Sequence, residues 1–165
     1  MNQEIVDRFV EAWGAMGSLW GINPSVARIH ALLIITERPW SLDEIGERLT
    51  ISKSNASMSL KELRLWKVVR QVRQPGDRRE FYTCEPDTWQ MLFSIIRERK
   101  RREFDPILEQ VRASRALAES EPDGIAVARL QQMEQMLVSF EKLAGRFLAS
   151  GEHARSLLTF LLGRV

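Results

Sequence analysis

The chain has 165 residues, of which 44% are hydrophobic and 28% are charged. This length and composition are typical of one globular domain with accessory helices and exclude a disordered chain. The formal net charge is only +2, so an anionic partner can be argued only from where the charges lie. A single cysteine, Cys84, excludes a disulfide framework and a multi-cysteine metal site, and two histidines 123 residues apart argue against a His-rich metal centre. We expect no cofactor.

The first residues predict a cytoplasmic protein. Glu4, Asp7, Arg8 and Glu11 interrupt any apolar region of a signal peptide. The longest uncharged stretch, residues 12–27, contains three glycines and a proline, so it does not resemble a membrane span. We therefore expect no membrane association.

Hydrophobic periodicity predicts a helix from Asn2 to about Leu19, ended by Gly21. Its inward stripe is predicted to consist of Ile5, Phe9, Val10, Trp13 and Met16. A second, buried helix is expected to begin at Asn23-Pro24, because asparagine caps helices and proline fits the first helical turn.

A helix-turn-helix pattern follows. Residues 41–44, Ser-Leu-Asp-Glu, have the spacing of a capping box and open a short helix that ends at Leu49. Ser52 then caps a second helix that runs to Trp66. Its narrow inward face is predicted to hold Ala56, Leu60 and Leu63, and its opposite, polar and basic arc holds Ser54, Asn55, Ser57, Met58 and Lys61. Two short helices across a tight turn are typical of DNA-binding motifs.

A β-hairpin is predicted next. Residues 68–73 and 80–84 have the β-branched and aromatic content of paired strands. Residues 74–77, Gln-Pro-Gly-Asp, form a turn by their chemistry. Arg78 and Arg79 come just after this turn, so the hairpin has a basic end.

The remaining chain reads as helices. Asp87 is expected to cap a long helix, and the basic run 97–102 is interpreted as a solvated face. Asp105 is expected to be an N-cap with Pro106 in the first turn, so the helix kinks or restarts there. Apolar residues then follow a heptad spacing, at Ala126, Leu130, Met133, Leu137, Phe140, Ala144 and Phe147. We expect this seam to pack partly on the chain's own helix and partly on a second copy. A last short helix is predicted around Leu157, Leu158, Leu161 and Leu162.

Positive charge is concentrated in one segment. Residues 50–83 contain eight basic and three acidic side chains, a net charge of +5, so the rest of the chain carries −3. The basic residues fall on the second helix of the motif and on the hairpin, as a phosphate-binding surface requires.

Residues 41–85 resemble the winged helix-turn-helix of MarR-like transcriptional regulators, and more closely the GbsR-like branch. The resemblance is carried by LDEIGERL, ISKSNASMSLKELRLW, VVRQV and QPGDRREFYTCEPD, the last being similar to a wing whose Pro-Gly-Asp-Arg tip precedes a Tyr-bearing strand. Members usually have glycine where this chain has Lys67, so we expect the helix to end differently and the wing angle to differ.

The resemblance implies a mainly α fold with a small β-hairpin wing and a homodimeric regulator, expected to be a repressor, that binds double-stranded DNA. It suggests an N-terminal supporting or dimerisation helix in residues 1–21, a winged helix-turn-helix in residues 22–86 and helical dimerisation in residues 87–165. Paired half-sites would then lie about 34–36 Å apart.

The expected DNA contacts divide into three groups. The recognition helix, residues 52–66, would enter the major groove with Ser54, Asn55, Ser57 and Met58 at base edges, Asn55 being able to bind adenine through both amide atoms. Lys53 and Lys61 would lie near phosphates. The wing, residues 70–80, would place Arg73, Arg78 and Arg79 on the flanking backbone or in an adjacent minor groove.

Other readings remain open. A winged helix can serve as a protein-interaction module, although such modules usually lose a basic wing. No Ser/His/Asp order, Gly-rich phosphate loop or metalloprotease motif suggests an enzyme. A small-molecule effector is conceivable, because five tryptophans could line a pocket for a cationic ligand, but core packing is expected for most of them. His30 is interpreted as a core or interface residue and Cys84 as inert.

Overall fold

A computed structural model describes residues 2–120 and 124–151, which form two compact units that divide between Ser94 and Ile95. The predicted last helix, around residues 157–162, lies outside the described residues. The bounds in the first unit are α1 (Gln3–Leu19), α2 (Pro24–Thr36), β1 (Trp40–Ser41), α3 (Leu42–Leu49), α4 (Lys53–Leu65), β2 (Val69–Val72) and β3 (Phe81–Cys84). Helix α5 (Thr88–Arg99) begins in the first unit and ends in the second.

The first unit is mainly helical with a small antiparallel sheet, and this confirms the predicted fold class. The sheet has the order β1-β3-β2, in which Val69 pairs with Cys84 and Val72 with Phe81. Strand β1 was not predicted, because two residues are too few to show an alternating pattern. Trp40 pairs with Tyr82, so β1 covers the second edge of β3. Strand β1, which directly precedes α3, thereby joins the hairpin of β2 and β3 to the helices.

The predicted starts of α2 and α3 are confirmed. The Asn23 side chain accepts a hydrogen bond from the Ser25 backbone N–H (2.8 Å) at the start of α2. At α3, Ser41 Oγ accepts from the Glu44 N–H (3.3 Å), and the Glu44 carboxylate accepts from the Ser41 N–H (2.7 Å). Because the Ser41 N–H stabilises the ionised carboxylate, the pKa of Glu44 is lowered. Local residue chemistry therefore sets where the motif's first helix begins.

The inward face of α1 agrees only in part with the prediction. Its buried residues are Val6, Val10, Gly14 and Gly17. Of the predicted stripe, Val10 is therefore buried and Phe9, Trp13 and Met16 are half-buried, but Ile5 is exposed. A Cβ at Gly17 would lie 2.5 Å from the Ala27 Cβ, so the glycine lets α1 approach α2 closely. The contact face is thus marked by small residues, which a search for large apolar side chains overlooks.

Lys67 takes the conformation that usually belongs to glycine. Its φ is +60°, and its N–H donates to the Arg64 carbonyl (3.0 Å), while the Val68 N–H donates to the Leu63 carbonyl (3.2 Å). These two bonds are those of a Schellman helix end. The expectation that α4 ends differently was therefore wrong: the helix ends as glycine would end it, at a cost of about 1 kcal/mol for a residue with a Cβ.

The core of the first unit is centred on α2. Ile29, Ala31, Leu32 and Leu33 are fully buried there, and α2 packs against α1, α4 and β3. The predicted inward residues of α4 are confirmed, since Ala56, Leu60 and Leu63 are at most 1% exposed. Burial of this face leaves the opposite side of α4 to solvent.

The second unit contains the end of α5, a π-helical turn (Lys100–Phe104), α6 (Asp105–Ala118) and α7 (Gly124–Ser150). At Asp105-Pro106, where a kink or a restart was predicted, the chain forms a π-helical turn that runs directly into α6, and Phe104 and Asp105 keep right-handed helical angles. Pro106 has no N–H to donate to the preceding turn. Asp105 does not cap the new helix; its carboxylate instead accepts from Lys100 Nζ (2.6 Å). The basic run that precedes it is paired with acids, since Glu98 binds both Arg101 and Arg102.

Helix α7 carries two neighbouring apolar stripes. Leu130, Leu137 and Ala144 are half-buried, consistent with packing on α6. A second stripe is exposed to solvent and consists of Met133, Met136, Phe140 and Leu143. The predicted heptad seam is thus divided, with part covered within the unit and part left open.

Candidate nucleic-acid interface

The outer side of α4 has the character predicted for it. Lys53, Ser54, Ser57, Met58 and Lys61 are all exposed, and Met58 is 74% exposed. Ser52 Oγ accepts from the Asn55 N–H (3.2 Å), which caps the helix at the predicted residue. The helix therefore presents small polar side chains in its first two turns, the part that meets base edges in helix-turn-helix complexes.

Asn55 is placed differently from its neighbours. It is half-buried, its Nδ2 donates to Ser25 Oγ (3.0 Å), and its Oδ1 accepts from Ser59 Oγ (3.3 Å). Both ends of the amide therefore have partners inside the protein.

The lysines of α4 also differ from one another. Lys53 Nζ lies 2.7 Å from the Asp43 carboxylate on α3. Lys61 forms no ion pair within the described part of the chain. Both are exposed, so the pair at Lys53 is of the weak, screened surface kind.

The two arginines at the wing tip have different surroundings. Asp77 accepts from the Arg79 backbone N–H (2.9 Å) and from its guanidinium (2.7 Å), and the Arg79 guanidinium lies 5.1 Å from the Phe81 ring centroid. These contacts with Arg79 lower the pKa of Asp77. Arg78 is exposed and forms no ion pair among the described residues, and the same holds for Arg73.

The turn that carries these arginines is stabilised locally. Asp77 donates its backbone N–H to the Gln74 carbonyl (3.2 Å), and Gly76 has φ +82°, a value that favours glycine. The predicted turn at residues 74–77 is thereby confirmed.

Arg64 belongs to the same surface and was missed as a candidate contact. It is exposed on α4, three residues after Lys61 and seven after Ser57, a spacing that places all three on one face. A cavity of about 510 Å³ lies between this face and β3, lined by Ser57, Lys61, Arg64, Leu65, Glu80 and Tyr82. The helical spacing alone could have identified Arg64.

Tyr82 forms the floor of this cavity on the wing side. Its hydroxyl donates to a Glu80 carboxylate oxygen (3.1 Å), and the residue is 7% exposed. The pKa of Tyr82 is raised, mainly by burial and secondly by the hydrogen bond to Glu80. The hydroxyl therefore keeps its proton at neutral pH.

His30 lies in the core, one of the two positions predicted for it, and Cys84, which was predicted to be inert, is also buried. His30 is 4% exposed and its ring packs against Trp13 at a centroid distance of 6.1 Å. Desolvation by burial lowers its pKa from 6.5 to about 4, so the ring is neutral. The Cys84 thiol donates to the Leu33 carbonyl (3.2 Å), and burial raises its pKa.

Two further cavities are candidate sites for a small-molecule effector. In the first unit, a cavity of about 310 Å³ includes Trp40, but the Arg38 guanidinium lies 3.5 Å from the Trp40 ring centroid. The protein's own cation therefore covers that aromatic face. In the second unit, a mainly apolar cavity of about 400 Å³ includes Phe104 and Phe140, whose ring centroids are 5.1 Å apart.

Within residues 2–120 and 124–151, no group of three or more His, Cys, Asp or Glu residues is arranged to hold a metal ion. No described helix is both long enough and apolar enough to cross a membrane.

Residues 20–80 match a model of the MarR family, MarR_2. The chain is 23% identical over 94 residues to the putative HTH-type transcriptional regulator YvaV of Bacillus subtilis (strain 168), covering 57% of this chain and 53% of that protein. It is 25% identical over 77 residues to the HTH-type transcriptional repressor OpcR of the same organism, covering 47% and 42%. The chain thus spans about half the length of the curated relatives it matches.

A solved structure supports the fold. The crystal structure of a transcriptional regulator has a TM-score of 0.70 with this chain at 18% identity, and the match covers 91% of this chain and 98% of that chain. The family match covers α2, the helix-turn-helix, β2 and the wing turn, and it ends just before β3. The chain therefore carries a MarR-like winged-helix domain.

Proposed function

We propose that the chain is a sequence-specific DNA-binding transcriptional regulator of the GbsR-like branch that acts as a cytoplasmic repressor. The observation that carries this proposal is a surface of α4 and the wing on which Lys61, Arg64, Arg73 and Arg78 form no ion pair within the described residues. Cations left without acidic partners are what a phosphate backbone requires. The match to a relative named a repressor supports the sign of regulation.

The proposed complex places α4 in the major groove. A B-DNA major groove admits one α-helix, and Ser54, Ser57 and Met58 lie on the exposed first turns of α4. Lys61 and Arg64, farther along the same face, would contact phosphates. The cavity between α4 and β3 would then accommodate the DNA backbone that passes between helix and wing.

The wing would contact the flanking DNA mainly through Arg78 and Arg73. Arg79 lies beside them in sequence, but Asp77 neutralises it. We therefore assign Arg79 to shaping the wing tip rather than to binding phosphate. Lys53, which pairs with Asp43, would contribute less than Lys61.

We propose that residues 22–86 bind DNA and that residues 1–21 and 87–165 supply a homodimer interface. The exposed stripe on α7, Met133, Met136, Phe140 and Leu143, supports this division, because contiguous apolar surface is unusual on a monomer. A twofold dimer would read two half-sites about one helical turn apart.

A small-molecule effector is part of the proposal, with the cavity of the second unit as its candidate site. Its volume of about 400 Å³ lies within the range of ligand pockets, and Ile96, Phe104, Ile107 and Phe140 give it an apolar lining. Phe104→Ala is expected to abolish any effector response without changing DNA binding in the absence of effector.

The test is selection of a preferred duplex from a random-sequence library by the wild-type protein, followed by affinity measurement against random duplex. The proposal predicts a selected site with two related half-sites, bound at least about a thousandfold more tightly than random duplex. Triple replacement of Ser54, Ser57 and Met58 by alanine should reduce this ratio. If no sequence is enriched and no duplex binds at low salt, the winged helix is instead a protein-interaction module.

A further inference from the structure

The first turn of α4 is tied to the start of α2 by side-chain hydrogen bonds. Asn55 Nδ2 donates to Ser25 Oγ (3.0 Å), and Asn55 Oδ1 accepts from Ser59 Oγ (3.3 Å). Ser59 is 3% exposed, and the Ser25 backbone N–H is itself held by the Asn23 side chain (2.8 Å). The contacts form a continuous polar connection between two helices whose contact residues are thirty positions apart.

This arrangement conflicts with the base-reading role expected for Asn55. Reading adenine requires the amide oxygen and nitrogen to face the base edge together. Here the nitrogen is directed at α2 and the oxygen at a buried serine, and the side chain is half-buried. Breaking both contacts would leave the hydroxyl of the buried Ser59 without this acceptor, which is costly.

We infer that Asn55 is a positioning residue and that, together with Ser25, it sets how far α4 is rotated about its own axis. The inference rests on the proposed function. Because Ser54, Ser57 and Met58 follow the same helix, a change in that rotation shifts all of them relative to the bases. Phosphate contacts by long, flexible lysine and arginine side chains tolerate such a shift better than short serine side chains do.

Ser25→Ala is the decisive variant, since Ser25 lies on α2 and outside the recognition helix. We compare Ser25→Ala, Asn55→Ala and the double variant with wild type, using the duplex selected by the wild type and random duplex of equal length. Ser18→Ala is the matched control, because it removes a serine hydroxyl bonded only within α1, to the Gly14 carbonyl (3.0 Å). Ser25→Thr keeps a hydroxyl, so it should keep the wild-type ratio of selected to random affinity. Urea unfolding of each variant corrects every affinity for the folded fraction.

The expected result is a loss of preference without a loss of general DNA binding. Ser25→Ala should lower the ratio of selected to random affinity roughly five- to tenfold, the size expected when one hydrogen bond is lost. Asn55→Ala also removes the bond from Ser59, so it should lower the ratio at least as much. The double variant should lose no more than Asn55→Ala alone, because Asn55→Ala already removes the bond to Ser25. Ser18→Ala should leave the ratio unchanged.

Three outcomes overturn the inference. If only Asn55→Ala lowers the ratio, and at one adenine of the site, Asn55 reads a base. If the affinities change only in proportion to the folded fraction, the connection has a purely structural role. If wild type selects no sequence at all, the proposed function fails and the inference fails with it; this result differs from the first two because no variant is needed to see it.

Discussion

Asp77 binds Arg79 through both the backbone and the side chain, at 2.9 Å and 2.7 Å, while the adjacent Arg78 has no ion pair in the described part of the chain. Two arginines that look equivalent in the sequence therefore differ in the charge they can offer.

Asp77→Asn should strengthen DNA binding. The asparagine Oδ1 can still accept from the Arg79 N–H and keep the turn, but it no longer neutralises the guanidinium. The dependence of log affinity for random duplex on log salt should become steeper by about one unit per subunit. Fluorescence anisotropy across a salt series measures this slope. A weaker or unchanged slope would mean that Arg79 does not face the DNA even when it is released.

Burial of His30 should make stability depend on pH. Its pKa is lowered from 6.5 to about 4, so between these values the unfolded chain binds more protons than the folded chain. The stabilisation is complete above pH 6.5 and is lost as the pH falls towards 4, by roughly 3 kcal/mol in total. Urea unfolding of wild type and His30→Leu measures it. The difference in their unfolding free energies should change over this interval, and a constant difference would contradict the prediction.

Gly17→Ala should destabilise the first unit. The new Cβ would lie 2.5 Å from the Ala27 Cβ, so α1 and α2 must separate, and overpacking of this kind costs about 1–3 kcal/mol. Gly145→Ala is the matched control, because its Cβ would meet nothing within 4 Å and alanine favours a helix by up to about 1 kcal/mol. Chemical denaturation should therefore shift in opposite directions for the two variants. Equal shifts would argue against the close approach of the helices.

Met136→Lys combined with Leu143→Lys should yield a monomer. Both side chains lie on the exposed apolar stripe of α7, at 56% and 66% exposure, so the lysines disturb nothing within the subunit. Sedimentation equilibrium should show a wild-type dimer and a monomeric double variant. Gln131→Lys, on the opposite side of α7, should remain dimeric. A wild type that is monomeric at high concentration would contradict the proposed interface.

The helix starts and the wing turn could be predicted from the sequence because they depend on hydrogen bonds between residues close together in the chain. Ser41 with Glu44, Ser52, Asn23 and the turn at residues 74–77 each define their structure within a few positions. The helix-turn-helix and the hairpin follow from such short-range signals together with apolar spacing.

Features that depend on distant partners could not be predicted. Asn55 and Ser25 are thirty residues apart, and strand β1 exists only because Trp40 finds Tyr82. Gly17 marks a helix contact by the absence of a side chain.

DNA binding through the wing is tested most directly by the salt dependence of binding to random duplex DNA for wild type, Arg78→Ala and Arg79→Ala. Wild-type log affinity should fall linearly with log salt. Arg78→Ala should reduce this slope by about one phosphate contact per subunit, and Arg79→Ala should reduce it much less. Equal reductions would contradict the assignment of the wing contacts. The absence of salt-dependent binding by wild type, even at low ionic strength, would contradict DNA binding itself.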